Sequence, residues 1–163
     1  ERVSEALTPV IKNIQKLSGA VPAPFDCWLI NRGLKTMYLR LKQQADNAMQ
    51  LAEYLNTHPK ISAVHFPGLA THPQHELASL QMPNGSGAML SVQLGGSQQE
   101  AMSLIGRLKL FTAATSLGGV ESLIEHRKSV EGLASPTSDD LLRVSVGIEH
   151  IDDLIADWQQ ALA

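Results

Sequence analysis

The spacing of apolar residues changes near residue 60, and this change constrains the fold more than any other feature of the sequence. Before it, apolar residues recur at steps of three and four, as on one helical face: Ile30, Leu34, Met37, Leu41, Ala45, Ala48, Ala52 and Leu55. After it, short β-rich runs at residues 61–66, 88–94, 109–113 and 142–146 alternate with helical stretches. We therefore expect an α+β fold, with a mostly antiparallel sheet, helices packed on one side of it and a long N-terminal helix.

Helix boundaries are indicated by capping residues and prolines. The Thr-Pro pair at residues 8–9 predicts the start of a short first helix, which Gly19 ends. The prolines within residues 21–24 predict an extended connector. The main periodic pattern then predicts one helix of about 30 residues, between residues 26 and 58.

Further helices are predicted in the second half of the chain. Ser97 with Glu100, and Thr71 with Gln74, have the spacing of a capping box, so helices should begin near residues 98 and 72. A closing helix should carry one apolar face, formed by Ile151, Leu154, Ile155, Trp158 and Leu162.

Composition excludes several classes of protein. With 163 residues, 44% of them apolar, the chain can bury the core of one domain. A net charge of -3 and few aromatic residues give no electrostatic footprint for nucleic acid, and no apolar stretch approaches the length of a membrane span. The lone Cys27 cannot form an internal disulfide, which is compatible with a reducing cytoplasm, and we expect it to be a small buried hydrophobe on a helix.

One glycine-containing segment is a candidate binding loop. The segment Ser116-Leu117-Gly118-Gly119-Val120-Glu121-Ser122 follows a predicted strand. Adjacent glycines let the backbone approach a ligand closely or adopt a positive φ. The alternative is a plain connection between a strand and a turn, and composition does not separate the two. A phosphate-binding P-loop is excluded because the Gly-Lys-Ser/Thr ending is absent.

Arg143 is a candidate ligand-binding residue in the last β-rich run. Apolar residues there take every second position, so Arg143 and Ser145 should point away from the core. A guanidinium group in that place can hold a carboxylate with two parallel hydrogen bonds. The alternative is a solvated or salt-bridged surface arginine, which the residues alone favour.

The histidines and acidic residues do not predict a metal site. Four of the six histidines fall in one third of the chain: His58, His65, His72 and His75. Their spacing matches no zinc signature, so we expect them on loops and helix surfaces. Glu121 and Glu125 would share one side of a helix in their segment, which is more typical of a solvated face than of an acid/base pair. A metal-dependent hydrolase is the rival interpretation, which metal analysis would test.

Three blocks of sequence resemble one enzyme family. They are Pro24-Phe25-Asp26 through Arg32-Gly33-Leu34-Lys35-Thr36, then residues 116–123, then Leu142-Arg143-Val144-Ser145-Val146-Gly147-Ile148-Glu149. In order and spacing they are similar to the trans-sulfuration family of pyridoxal-phosphate enzymes, which includes cystathionine γ-synthase, the cystathionine lyases and methionine γ-lyase. The short link at residues 125–132 resembles that of cystathionine γ-synthase-like members.

The resemblance implies a domain of a larger enzyme. Residues 1–25 would be a helix and connector from the cofactor-binding domain, and residues 26–163 the small C-terminal domain of a fold-type I pyridoxal-phosphate enzyme. None of the seven lysines has the Ser/Thr-x-Thr-Lys context of the family's catalytic lysine, so that lysine would lie upstream of residue 1. The chain alone would then be inactive, and pyridoxal 5'-phosphate would be bound by the full-length enzyme.

The resemblance also implies roles for single residues. Arg143 matches the arginine that binds the substrate α-carboxylate, and Ser116 matches a serine that contacts the catalytic lysine and helps seat the substrate. Thr115, at a position where members differ, and Leu117 are expected to contact the substrate. The implied partners are a sulfur-containing amino acid and the missing N-terminal domain, within a cytoplasmic homotetramer. The rival interpretation is a stand-alone, non-catalytic oligomerisation or regulatory domain of the same fold.

Overall fold

The computed structural model describes residues 2–132 and 134–163, which form seven helices and five strands. The helices are α1 (Arg2–Ser18), α2 (Pro24–Leu34), α3 (Met37–Asn56), α4 (His75–Gln81), α5 (Gln98–Arg107), α6 (Arg127–Glu131) and α7 (Ile151–Leu162). The strands are β1 (Ala63–His65), β2 (Met89–Gln93), β3 (Thr112–Ala113), β4 (Leu123–His126) and β5 (Leu141–Ser145).

The chain divides into two compact units, one ending at Tyr38 and one beginning at Leu39. The first unit contains α1 and α2, and many of its large apolar side chains are exposed, among them Leu7, Ile11, Ile14, Leu17, Phe25, Trp28 and Ile30. Phe25 and Trp28 stack, with their ring centroids 5.9 Å apart. The domain boundary expected at residue 25 stays a prediction.

The second unit is built around the five-stranded sheet, whose order is β1-β2-β5-β4-β3. Strands β1, β2, β5 and β4 pair antiparallel, whereas β3 pairs parallel to β4. The expected α+β fold with a mostly antiparallel sheet is therefore confirmed.

One hydrophobic core joins the sheet to three helices. Alternate strand residues point into it, including Leu90 and Val92 of β2 and Leu142 and Val144 of β5, all of them buried. Helices α3, α5 and α7 pack their apolar faces into the same core. On α7, Leu154 and Trp158 are fully buried, as its apolar periodicity predicts. On the opposite face, the central strands carry the polar residues Ser91, Glu125 and Arg143 side by side.

The helix expected over residues 26–58 is interrupted. Helix α2 ends at Leu34 and α3 begins at Met37. The intervening backbone makes tighter hydrogen bonds, from Lys35 N to Arg32 O and from Thr36 N to Gly33 O. These i to i−3 bonds are of the 3₁₀ type, and Gly33 is a weak helix former, which accounts for the break. The spacing of apolar residues nevertheless continues across it.

Other expectations about local structure are also corrected. The first helix begins at Arg2 and carries Pro9 inside it, and α4 begins at His75 without a cap from Thr71. Cys27 lies on helix α2 as expected, but its side chain is exposed rather than buried. No helix among the described residues is long and apolar enough to cross a membrane.

The capping box of α5 is present in full. Ser97 Oγ accepts a hydrogen bond from Glu100 N, while Ser97 N donates to Glu100 Oε2 at 2.7 Å. Ser97 N and Ser97 Oγ both donate to the Glu100 carboxylate, and these two bonds lower the pKa of Glu100 below its ordinary value. Two backbone N–H groups at the helix start, which have no acceptor within the helix, thereby gain hydrogen bonds.

We expect Ser97→Ala to lower the free energy of unfolding by about 1 kcal/mol, because the cap to Glu100 is lost. Urea denaturation of the chain measures this change. Thr71→Ala is the matched control, because Thr71 has the same sequence spacing but does not cap α4. It should change the stability by less than about 0.5 kcal/mol. Equal losses in the two variants would contradict the assignment of the cap.

Candidate functional site

Arg143 lies on the polar face of the sheet, as the alternation of β5 predicts. Its neighbours Leu142 and Val144 are fully buried in the core, whereas 20% of the Arg143 side chain is exposed. The register places Arg143 between Ser91 of β2 and Glu125 of β4. A guanidinium group thus stands in the middle of the sheet rather than at its edge.

Arg143 is held by one ion pair and two hydrogen bonds. Its Nε lies 3.0 Å from Glu125 Oε1. Its Nη2 donates to the carbonyl oxygens of Thr115 and Ser116, at 2.7 and 3.3 Å. The arginine therefore ties strand β4 to the start of the candidate binding loop, and the sequence-predicted residues Thr115, Ser116 and Arg143 are brought together.

Glu125 is a buried carboxylate shared between two arginines. Its side chain is only 4% exposed, and Oε1 also accepts from Arg127 Nη1 at 2.9 Å. Its other oxygen, Oε2, is buried without a hydrogen-bond partner among the described residues. The expectation of a solvated acidic face on a helix is wrong, because Glu125 belongs to β4. Only Leu123 and Ile124 mark this strand as apolar, too short a run for periodicity to detect.

Arg127 extends the network to the loop after α6. Its Nε donates to Glu131 Oε1 at 2.5 Å, and its bonds to Glu125 and Glu131 raise the pKa of the guanidinium above its ordinary value. Hydrogen bonds from Ser135, Thr137 and Arg127 lower the pKa of Glu131 to about 2. Glu131 is therefore charged throughout the neutral range.

The loop of residues 115–121 presents exposed groups beside Arg143. Thr115, Ser116 and Leu117 are all exposed, Leu117 by 56%. Gly118 has φ +76°, a conformation that favours glycine, and its N–H donates to Ser145 Oγ at 3.0 Å. Loop and strand are thus connected at two points, through Arg143 and through Ser145.

Two buried side-chain amides on α3 donate hydrogen bonds to the loop and to the segment after β5. Gln44 Nε2 donates to Gly119 O at 2.5 Å, and Asn47 Nδ2 donates to Gly147 O at 3.1 Å and to Glu149 O at 2.8 Å. Gln44 and Asn47 are 2% and 0% exposed. The sequence analysis missed both residues, although two amides spaced three apart within an apolar helical stripe were a usable signal.

Glu149 binds Ser122, the residue that follows the loop. Its carboxylate accepts from Ser122 N at 2.7 Å and from Ser122 Oγ at 2.8 Å. Ser122 Oγ in turn accepts from Gly147 N at 2.9 Å. The second and third sequence blocks meet here, because hydrogen bonds join residues of α3, of the loop and of the segment after β5 within the second unit.

The described histidines and acidic residues do not form a cluster near the loop. Among the described residues, no three histidine, cysteine, aspartate or glutamate side chains are grouped to hold a metal ion. His75 and His65 make their described hydrogen bonds to Pro67 O and to Gln93. The chemically distinctive groups are therefore the oriented guanidinium of Arg143 and the exposed hydroxyl of Ser116.

Comparison with known proteins defines the class. A model of the family described as Cys/Met metabolism PLP-dependent enzyme matches residues 3–163, where PLP is pyridoxal phosphate. The chain belongs to this family. The cofactor class that the three blocks imply is thus confirmed for the family.

The individual relatives are named for different reactions. The chain is 47% identical to cystathionine gamma-synthase of Mycobacterium tuberculosis in an alignment of 154 residues that covers 91% of this chain and 39% of that protein. It is 43% identical to cystathionine beta-lyase of Coxiella burnetii, covering 98% of this chain and 43% of that protein. The crystal structure of apo CalE6, a methionine gamma lyase from Micromonospora echinospora, matches with a TM-score of 0.85 and 40% identity, covering 97% and 42%. The chain thus spans about two fifths of the length of these relatives.

We expect Gly147→Ala to lower the free energy of unfolding by about 1–3 kcal/mol, because the new Cβ would overlap Val120 O and lie 2.7 Å from Glu121 C. Urea denaturation measures the loss. Gly106→Ala is the matched control: a Cβ at that helical position meets nothing within 4 Å, so the change should be neutral or stabilising. Similar stability for both variants would contradict the close packing of the loop on β5.

Proposed function

We propose that this chain is the C-terminal domain of a pyridoxal-phosphate-dependent enzyme of the cystathionine synthase or lyase type. The full-length enzyme would catalyse β- or γ-elimination or replacement on a sulfur-containing amino acid. The proposal is supported by the family match over residues 3–163 and by relatives that are more than twice as long. Its site assignment depends on one observation, the position of Arg143 beside the Thr115–Ser116 backbone.

In this proposal Arg143 binds the α-carboxylate of the substrate. Its described hydrogen bonds use Nη2 and its ion pair uses Nε, so Nη1 can take a ligand oxygen without breaking either contact. A fixed guanidinium group would orient the substrate so that the bond to be broken is held in a reactive direction. Thr115, Ser116 and Leu117 expose side chains next to it and would contact the rest of the substrate.

The residues of this chain fit the substrate-facing side of a cofactor site. Ser116 offers an exposed hydroxyl near Arg143, and no lysine takes part in the described hydrogen bonds of Arg143, Glu125 or the loop. The cofactor lysine and the phosphate-binding residues are assigned to the rest of the enzyme. When bound, pyridoxal phosphate supplies an electron sink for the negative charge that develops on the substrate.

The proposal also assigns partners. Residues 1–25 would be the helix and connector from the cofactor-binding domain, and the exposed apolar side chains of the first unit would pack against that domain. A homotetramer in the cytoplasm is part of the same proposal. Product analysis with cystathionine, homocysteine, methionine and O-acylhomoserine would distinguish lyase from synthase and β from γ chemistry.

We expect Arg143→Ala in the full-length enzyme to lower kcat/KM by about 30- to several-thousand-fold, since truncating one partner of a desolvated charge pair costs about 2–5 kcal/mol. Arg143→Lys should remain impaired because it keeps the charge but loses the planar fork. Cofactor occupancy, measured in parallel, should stay intact in both variants. Turnover of Arg143→Ala within a few-fold of wild type would show that Arg143 is a surface residue.

We expect the isolated chain to bind pyridoxal phosphate at no single lysine, because its seven lysines lack the family context. Incubation with the cofactor, borohydride reduction and peptide mass spectrometry test this. The full-length enzyme, treated identically, should show one modified lysine outside this chain. A stoichiometric modification of one lysine within the chain would contradict the domain assignment and favour a different site.

A further inference from the structure

Glu125 has no role in the proposed function as stated so far, yet it is the most deeply buried charged group that contacts Arg143. We propose that Glu125 is a positioning residue that fixes the Arg143 guanidinium through Nε and so reserves Nη1 for the carboxylate of the substrate. The inference rests on the proposed function, in which Arg143 binds that carboxylate. Glu125 itself does not contact the substrate in this proposal.

The geometry restricts the guanidinium from two sides. Glu125 lies directly opposite Arg143 in the register of β4 and β5, and its Oε1 forms an ion pair with Nε at 3.0 Å. Thr115 O accepts a hydrogen bond from Nη2 at 2.7 Å. A planar group held at two of its nitrogens, by an ion pair to a strand and a hydrogen bond to a loop, has little rotational freedom left, so its third nitrogen points in one direction. Such preorganisation lowers the entropy lost on binding a ligand.

The Glu125 carboxylate is not reserved for Arg143. Its Oε1 is shared between Arg143 and Arg127, and Arg127 is also paired with Glu131. The two arginines and two glutamates therefore balance in charge, but the single carboxylate facing Arg143 is divided between two cations. Arg143 thus keeps part of its attraction for an arriving carboxylate.

Glu125 is in turn well fixed. Its side chain is 4% exposed, and Arg127 Nη1 donates to its Oε1 at 2.9 Å, whereas Glu131 binds Arg127 through a different nitrogen, Nε. Glu131 makes no described contact with Arg143. Glu131→Gln is therefore a matched control: it makes the same chemical change in a carboxylate that binds Arg127, one step further from Arg143.

The test is ligand binding to the full-length enzyme, measured by calorimetry with two probes. L-norleucine carries an α-carboxylate but no sulfur leaving group, and L-norleucinamide replaces the carboxylate by a neutral amide. The variants are Glu125→Gln, Glu131→Gln, Arg143→Ala and the double variant of Glu125→Gln with Arg143→Ala. Thermal unfolding and cofactor occupancy are recorded for each variant.

We expect Glu125→Gln to weaken norleucine binding by about 10- to 100-fold, the range typical of residues that orient a ligand-binding group. Norleucinamide binding should change little, so the discrimination between the two probes falls. Glu131→Gln should leave both affinities at the wild-type level. In the Arg143→Ala background, Glu125→Gln should have no further effect on norleucine, because the group that it positions is gone.

The inference is overturned if Glu125→Gln binds norleucine as wild type does or more tightly, if it weakens both probes equally, or if its effect persists without Arg143. If Glu125→Gln does not fold, Glu125→Asp takes its place, because it keeps the charge but withdraws the carboxylate by one methylene group. Failure of the proposed function gives a different result: Arg143→Ala itself would then bind norleucine with wild-type affinity.

Discussion

A buried carboxylate between two guanidinium groups organises the polar face of this domain. A charge as buried as that of Glu125 is tolerated only when it is paired, and breaking such a pair by removing one partner costs about 3–5 kcal/mol. Glu125 meets that requirement through Arg143 on the adjacent strand and Arg127 at the start of α6. The pairing therefore fixes the conformation of three elements at once: strand β5, helix α6 and, through Thr115, the loop.

The loop depends on a second set of buried polar contacts. Gln44 and Asn47 interrupt the apolar face of α3, and their desolvated amides are compensated by bonds to Gly119, Gly147 and Glu149. A loop with exposed side chains is thus supported by a backbone that the core holds in place. This combination suits a site that must be accessible and also geometrically defined.

The sequence analysis predicted those parts of the molecule that depend on local signals. Alternation in β5 predicted the direction of Arg143, and the capping box predicted the start of α5, because both depend on neighbouring residues alone. It failed for β4 and for Glu125, whose burial results from pairing with β5 about twenty residues away in sequence. It also joined α2 and α3, because apolar spacing carries no information about a local change in backbone hydrogen bonding.

The residues that pack in the core are separate from those that the proposed function assigns to a ligand. Leu142 and Val144 face the core, whereas Thr115 and Leu117 project from a loop that contributes no side chain to it. Substitutions at these two loop positions would alter what the site recognises at little thermodynamic cost to the fold. In evolutionary terms, such a scaffold can be inherited unchanged while selectivity diverges. Its similarity to a cystathionine gamma-synthase, a cystathionine beta-lyase and a methionine gamma lyase accords with that freedom.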